Sequence, residues 1–325
     1  MGISIFLNLL FLVIGMIFLI KGADFFVDGA SRVAKAFHIP SLIIGLTLVS
    51  IGTSLPELSV SVNAALTGNA DISYGNVIGS NIFNVFVVIG SSAIFTPMII
   101  DKSMKKYDVP ILLGIYGLFT IFSFVITPNV LDRVESILFC LLFIGYLVFL
   151  VLRTKKENAG KEEEEEEEEE KPRSMLGNIA FIILGLVGIV AGGEFVVATA
   201  EALALMAGMS KLLVGLTIVA VGTSLPELVT SMVAAKKGEN DIAVGNAVGS
   251  SIFNILLILG VASTIAPIGF ETSTIIDVVA MIISAGMVML FAFKGSKVNR
   301  WQGILMILVY AVYLTFIILR NFGMF

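Results

Sequence analysis

The chain has 325 residues, 57% of them hydrophobic and only 14% charged, with a mean hydropathy of +1.02. A soluble domain normally carries about 25% charged residues and cannot hide this much apolar surface, so a water-soluble globular protein is excluded. The net charge of −5 says little, because Glu162 through Glu170 supply nine of the 25 carboxylates.

In chain order, apolar segments cover about 3–21, 39–67, 72–96, 108–127 and 134–152, then 175–192, 209–236, 242–266, 274–293 and 301–319. Each is near or above the ~20 residues that cross a ~30 Å hydrocarbon core as a helix. The first, Ile3 to Ile20, lacks a basic region before it and a small-residue cleavage site after it, so it reads as a retained span. Cys140 is the only cysteine and lies inside an apolar span. It reads as a packing residue, and a disulfide or a cysteine zinc site within the chain is excluded.

A shift of 170 residues superposes the two halves of the sequence without a gap. Gly45 to Leu58 falls on Gly215 to Leu228 with 11 of 14 positions identical, and Gly75 to Asn84 falls on Gly245 to Asn254. Gly22 matches Gly192 and Pro97 matches Pro267. Five spans per copy is an odd number, so the second copy enters the membrane from the opposite side. The expected fold is therefore an all-α integral membrane protein: ten transmembrane helices in two inverted five-helix repeats, residues 1–152 and 174–325. Such architectures place their substrate sites at the repeat interface near the midplane.

The basic residues test the span count. With the amino terminus outside, the cytoplasmic loops hold 17 of the 20 Lys and Arg residues, and only Arg133, Lys211 and Arg320 lie outside. That split follows the positive-inside rule. It predicts a multi-pass protein of the cell (plasma) membrane with both termini extracytoplasmic. Residues 153–173 form the linker between the halves, a like-charge run that repels itself and stays unfolded. It reads as a solvated cytoplasmic connection rather than a calcium sensor.

Two motifs carry chemistry. Gly-Thr-Ser-Leu-Pro-Glu occurs at 52–57 and again at 222–227, each time inside an apolar segment. Proline removes a helix hydrogen bond and clashes with the carbonyl one turn earlier, so both segments should break at the midplane. Backbone freed at that depth is tolerated where it lines a cavity. The following glutamates, Glu57 and Glu227, are costly in hydrocarbon, and no Lys or Arg lies in either segment core. A bound cation supplies the missing counter-charge. The second motif is Asn76, Ser80 and Asn84 with its copy Asn246, Ser250 and Asn254, which share nearly one helix face. Gly75 with Gly79, and Gly245 with Gly249, permit close helix approach. Asn76 and Asn246 read equally well as helix-to-helix ties. Oxygen donors suit hard cations such as calcium, and the lone His38 with a single cysteine argues against zinc or copper.

At these residues the chain resembles the sodium/calcium exchanger superfamily, specifically its prokaryotic cation/calcium antiporters. The resemblance extends over nearly the whole sequence. It implies that Glu57 and Glu227 are central ligands shared by calcium and sodium, and that Ser54, Ser224, Ser80 and Ser250 offer hydroxyls to sodium. It implies carbonyl donors at Thr53 and Thr223, and at Ser50 and Ala220 for outer sodium sites. Asn84 fits the family pattern, whereas many members carry an aspartate at the position of Asn254. The resemblance also implies that spans one and six slide against a fixed core. Asp24 and Glu194, repeat-equivalent acids near the ends of those spans, read as solvated helix ends.

The function expected is secondary active exchange of calcium for sodium through one alternating site, by a single chain, with no cofactor beyond the transported ions and no nucleic-acid partner. Calcium/proton antiport on the same fold is the nearest alternative, and a cation channel is a more distant one. An enzyme is not expected, since no nucleophile–base pair is present.

Overall fold

The computed structural model describes residues 2–158, 174–208 and 220–321. The polyglutamate run and the first eleven residues of the seventh expected span lie outside the described residues. Eleven helices organise the rest: α1 (Gly2–Ala36), α2 (Ser41–Thr53), α3 (Leu55–Leu66), α4 (Ile72–Phe95), α5 (Met104–Ile126) and α6 (Arg133–Asn158) in the first half. The second half contributes α7 (Met175–Met206), α8 (Leu225–Lys236), α9 (Asn240–Ile265), α10 (Ile275–Gly295) and α11 (Arg300–Asn321). Among the described residues, eight helices are long and apolar enough to cross a membrane, and the bent pair α2–α3 adds a ninth span. The protein is a multi-pass helical membrane protein.

Several boundaries differ from the sequence-based expectation. α1 has 35 residues and α7 has 32, about 50 Å each at 1.5 Å per residue, well beyond the expected ends near 21 and 192. Asp24 and Glu194 therefore lie within continuing helices and not at helix ends. α6 likewise runs on to Asn158, six residues into the predicted linker.

α1 and α7 pack on each other in antiparallel fashion. A methyl group on Gly22 would lie 2.6 Å from the Ile189 backbone nitrogen, and one on Gly29 would lie 2.8 Å from the Asn178 carbonyl. Gly15 meets Phe195 and the carbonyl of Gly192. Rising numbers on α1 thus meet falling numbers on α7. Bare backbone on both helices is what allows so close an approach, as for small residues at membrane helix contacts generally.

α4 and α9 are the most buried spans and form the centre of the bundle. Short ladders join the halves at its two ends. At one end β1 (Met98–Ile99) pairs antiparallel with β4 (Lys297–Val298), and at the other β2 (Val130–Leu131) pairs with β3 (Ile268–Gly269). The first rim collects the basic side chains: Lys236 stands over the Phe95 ring at 4.7 Å, Lys105 over Phe293 at 4.8 Å, and Arg153 bonds Asp108 at 2.9 Å. On the opposite rim lie Arg133, bonded to the Ile265 carbonyl, and Arg320, 3.1 Å from Asp277. The uneven charge split of the sequence is thus a spatial one. α10 spans from rim to rim in 21 residues.

Candidate cation site

The site begins with a helix break. α2 ends at Thr53 and α3 starts at Leu55, with an angle of 48° between them. Pro56 stands at the start of α3 and cannot offer an N–H to the carbonyl of Gly52. α8 opens in the same way, with Pro226 in its first turn. Each break places a glutamate in the first helical turn, Glu57 in α3 and Glu227 in α8, and both are fully buried. The amino-terminal end of a helix favours negative charge.

The carboxylates are bonded crosswise between the halves. Ser54 Oγ donates to Glu227 Oε1 at 2.9 Å, and Ser224 Oγ donates to Glu57 Oε1 at 3.2 Å. Ser224 also reaches Ser80 Oγ at 3.0 Å, while Ser250 Oγ lies 3.5 Å from both Glu227 Oε1 and the Ser50 carbonyl. Around them runs a second layer with the same crossed pairing. Thr53 Oγ1 donates to Asn246 Oδ1 and Thr223 Oγ1 to Asn76 Oδ1. Asn76 Nδ2 holds the Glu57 carbonyl and Ser61, as Asn246 Nδ2 holds the Glu227 carbonyl and Ser231. Every bond of this layer recurs 170 residues away.

Asn76 and Asn246 are therefore ties between helices, one of the two readings open from sequence. Asn84 and Asn254 behave differently. Both are fully buried, and neither amide oxygen nor amide nitrogen has a hydrogen-bond partner. Glu57 Oε2 and Glu227 Oε2 also lack one. Buried polar atoms are normally satisfied, so these unpartnered carboxylate and amide oxygens make the region a candidate cation site. Among the described residues no Lys or Arg pairs with either glutamate. Its donors are all oxygen, the choice of hard cations.

Asn84 and Asn254 each begin a widened π-helical turn, Asn84–Ile89 in α4 and Asn254–Leu259 in α9. Such turns are frequent at functional positions. The face predicted by i, i+4, i+8 spacing thus holds through Ser80 and Ser250 and opens at the asparagine. Gly245 and Gly249 do permit close approach, facing Leu42, Gly45 and Leu46 of α2. The partners equivalent to these for Gly75 and Gly79 fall in 209–219, outside the described residues. Ala220 begins the short helical turn Ala220–Gly222 that leads into the second break.

Sequence reasoning missed what the glycine of each motif accommodates. A methyl group on Gly52 would lie 2.9 Å from Phe26 Cζ of α1, and one on Gly222 would collide with Val197 of α7. The recurrence of glycine at both positions was the available signal. Also missed were the ties Asp108–Arg153 and Asp277–Arg320, the latter joined by Tyr313 at 3.0 Å. An acid opening the fourth span and an arginine closing the fifth, in both copies, was legible but unread.

Two crossed carboxylates in a ring of oxygen donors, inside a membrane bundle of paired halves, define a cation transporter. Comparison with known proteins narrows the class. The family model described as sodium/calcium exchanger protein matches residues 7–152 and 177–319. The sodium/calcium exchanger MaX1 of Methanosarcina acetivorans is 33% identical, the alignment covering 94% of this chain and 97% of that protein. The inner membrane protein YrbG of Escherichia coli is 34% identical over 79% of each. A solved structure of the sodium-calcium exchanger NCX_Mj superposes with a TM-score of 0.83 at 33% identity, covering 96% of this chain and 99% of that one. This chain belongs to the sodium/calcium exchanger family and is a membrane antiporter of the cation/calcium type.

Proposed function

We propose that the protein exchanges calcium for sodium through one midplane site reached alternately from the two sides of the membrane. The observation that carries this reading is the pair Glu57 and Glu227, fully buried, bonded crosswise and each left with one unpartnered oxygen. Two carboxylates give the site a charge of −2. One calcium neutralises it, two sodium ions neutralise it equally, and a third makes exchange electrogenic. Both ions need the same carboxylates, so they compete, and competition for an alternating site is what antiport requires.

In this reading Glu57, Glu227, Asn84 and Asn254 surround calcium, and Ser54, Ser224, Ser80 and Ser250 add hydroxyls for sodium. Carbonyls of Thr53, Thr223, Ser50 and Ala220 complete the sodium positions. Ten spans in two inverted repeats frame the site. The antiparallel packing of α1 on α7 and the crossed bonds of the second layer support that inversion. Because one chain contributes both halves of the site, the single chain is the working unit. The basic rim faces the cytoplasm of a cell membrane, with the 153–173 connection beside it and both termini outside.

Calcium/proton antiport differs in the counter-ion alone. Purified protein in calcium-loaded vesicles separates the two: an inward sodium gradient should release calcium within minutes, whereas an inward proton gradient without sodium should not. Release by the proton gradient alone would replace sodium with protons in this account.

A further inference from the structure

The two rims treat the α1–α7 pair differently. On the basic rim, Lys237 Nζ lies 2.7 Å from Asp28 Oδ1 and 3.2 Å from Asp24 Oδ1 of α1, and donates to the Asp24 carbonyl at 2.9 Å. Beside it, Ser31 of α1 donates to Glu239. Lys237 closes α8 and Glu239 precedes α9. The turn they occupy therefore joins the helix that carries Glu227 to the helix that carries Ser250 and Asn254. Glu227 is about 15 Å from Lys237 along α8 at 1.5 Å per residue.

The repeat-equivalent positions on the opposite rim hold none of this. Thr67 and Asn69 stand where the other turn has Lys237 and Glu239, and Glu194, Ala198 and Glu201 stand where α1 has Asp24, Asp28 and Ser31. Thr67 and Asn69 bond each other. Among the described residues, no ion pair or hydrogen bond joins α7 to the 67–69 turn.

The mechanical setting gives the asymmetry a consequence. α1 and α7 touch backbone to backbone through their glycines, the closest packing either helix makes among the described residues. Against the site helices they rest on side chains, Phe26 over Gly52 and Val197 over Gly222. At the basic rim, polar ties at Lys237 and Glu239 join α1 to the second half. A cleft of about 290 Å³, bordered by Asp28, Ser31, Lys237 and Glu239, already lies between them.

We propose that Lys237, with Asp24 and Asp28, is a one-sided electrostatic latch that closes the basic rim and biases the site toward facing the opposite one. The three side chains are 28–40% exposed, so the latch is a bias and not a lock. Partly exposed ion pairs are individually weak and are screened by salt. Breaking the latch moves population toward the state open at the basic rim, and apparent affinity follows the fraction of protein in the competent state.

The inference rests on the exchange reading for its transport readout alone. In vesicles of one orientation, Lys237→Gln should lower the half-saturating calcium at the basic rim and raise it at the opposite rim, the two fold-changes multiplying to about threefold, the scale of a weak ion pair. Lys237→Asp should shift both further, and Lys237→Asp with Asp28→Lys should return them toward wild type. Unchanged values at both faces would overturn the latch. So would shifts in the same direction, or a charge-reversed pair no better than Lys237→Asp alone. A wild type that moves no calcium would reject the exchange reading instead. The latch would then be read in purified protein, where Lys237→Gln should speed backbone hydrogen exchange across 237–240, and unchanged exchange there would reject it.

Discussion

Glu57 and Glu227 each accept a hydrogen bond from a serine of the other half on one oxygen and leave the other oxygen without a partner. Replacing either by glutamine keeps the shape and removes half of the site charge. A unit charge near a cation is worth several kcal/mol at an effective dielectric of about 20. Glu57→Gln or Glu227→Gln should therefore weaken calcium binding by roughly a hundredfold or more and abolish exchange, with the protein still correctly inserted. Retained transport in inserted protein would remove that glutamate from the site. At this scale the sequence was highly legible. A charged residue after a proline break in an apolar segment is too costly to be incidental, and it occurs twice. That Asn84 and Asn254 stay unpartnered was not legible, because the widened turn on which each sits depends on packing and leaves no local pattern. Nor did spacing alone distinguish those asparagines from Asn76 and Asn246, which turn out to tie helices.

Between elements, the α1–α7 contact is the least forgiving. A methyl group on Gly22 meets backbone on α7, with Ile189 N at 2.6 Å and the Gly185 carbonyl at 2.8 Å, and neither can rotate away. Overpacking of this kind costs about 1–3 kcal/mol. Gly22→Ala should lower the melting temperature in detergent. Gly286→Ala is the control, since its added carbon meets nothing within 4 Å and alanine is the better helix former by up to about 1 kcal/mol. Equal melting temperatures for the two variants would show that the helices separate without strain. Helix existence was readable from apolar length, but helix extent was not. The polar and charged residues after position 21 look like a loop, yet α1 continues through them, and Asp24, Asp28 and Ser31 face partners on a turn more than 200 residues away. The Asp108–Arg153 pair belongs to the same class. Both side chains are almost fully buried, and removing one partner of such a pair typically costs about 3–5 kcal/mol.

Across the whole molecule, the repeat is what made the fold legible. The offset of 170 residues reappears as crossed bonds between the halves and as paired breaks, and a short ladder joins the halves at each rim. The charge split reappears as one basic rim. Orientation is testable directly. In a Cys140→Ala background, Ser4→Cys should be labelled on intact cells by an impermeant thiol reagent and Glu166→Cys should not. The reverse pattern would invert the topology and would place the Lys237 latch on the outside. The same scale holds the central claim, that calcium and sodium use one shared site. Its most direct measurement is equilibrium binding of isotopic calcium to the purified protein at increasing sodium. The account predicts one calcium per chain, an apparent affinity that falls as sodium rises while the binding capacity stays constant, and no such site in Glu57→Gln with Glu227→Gln. Calcium binding that sodium leaves unaffected, or that survives the double substitution, would contradict it.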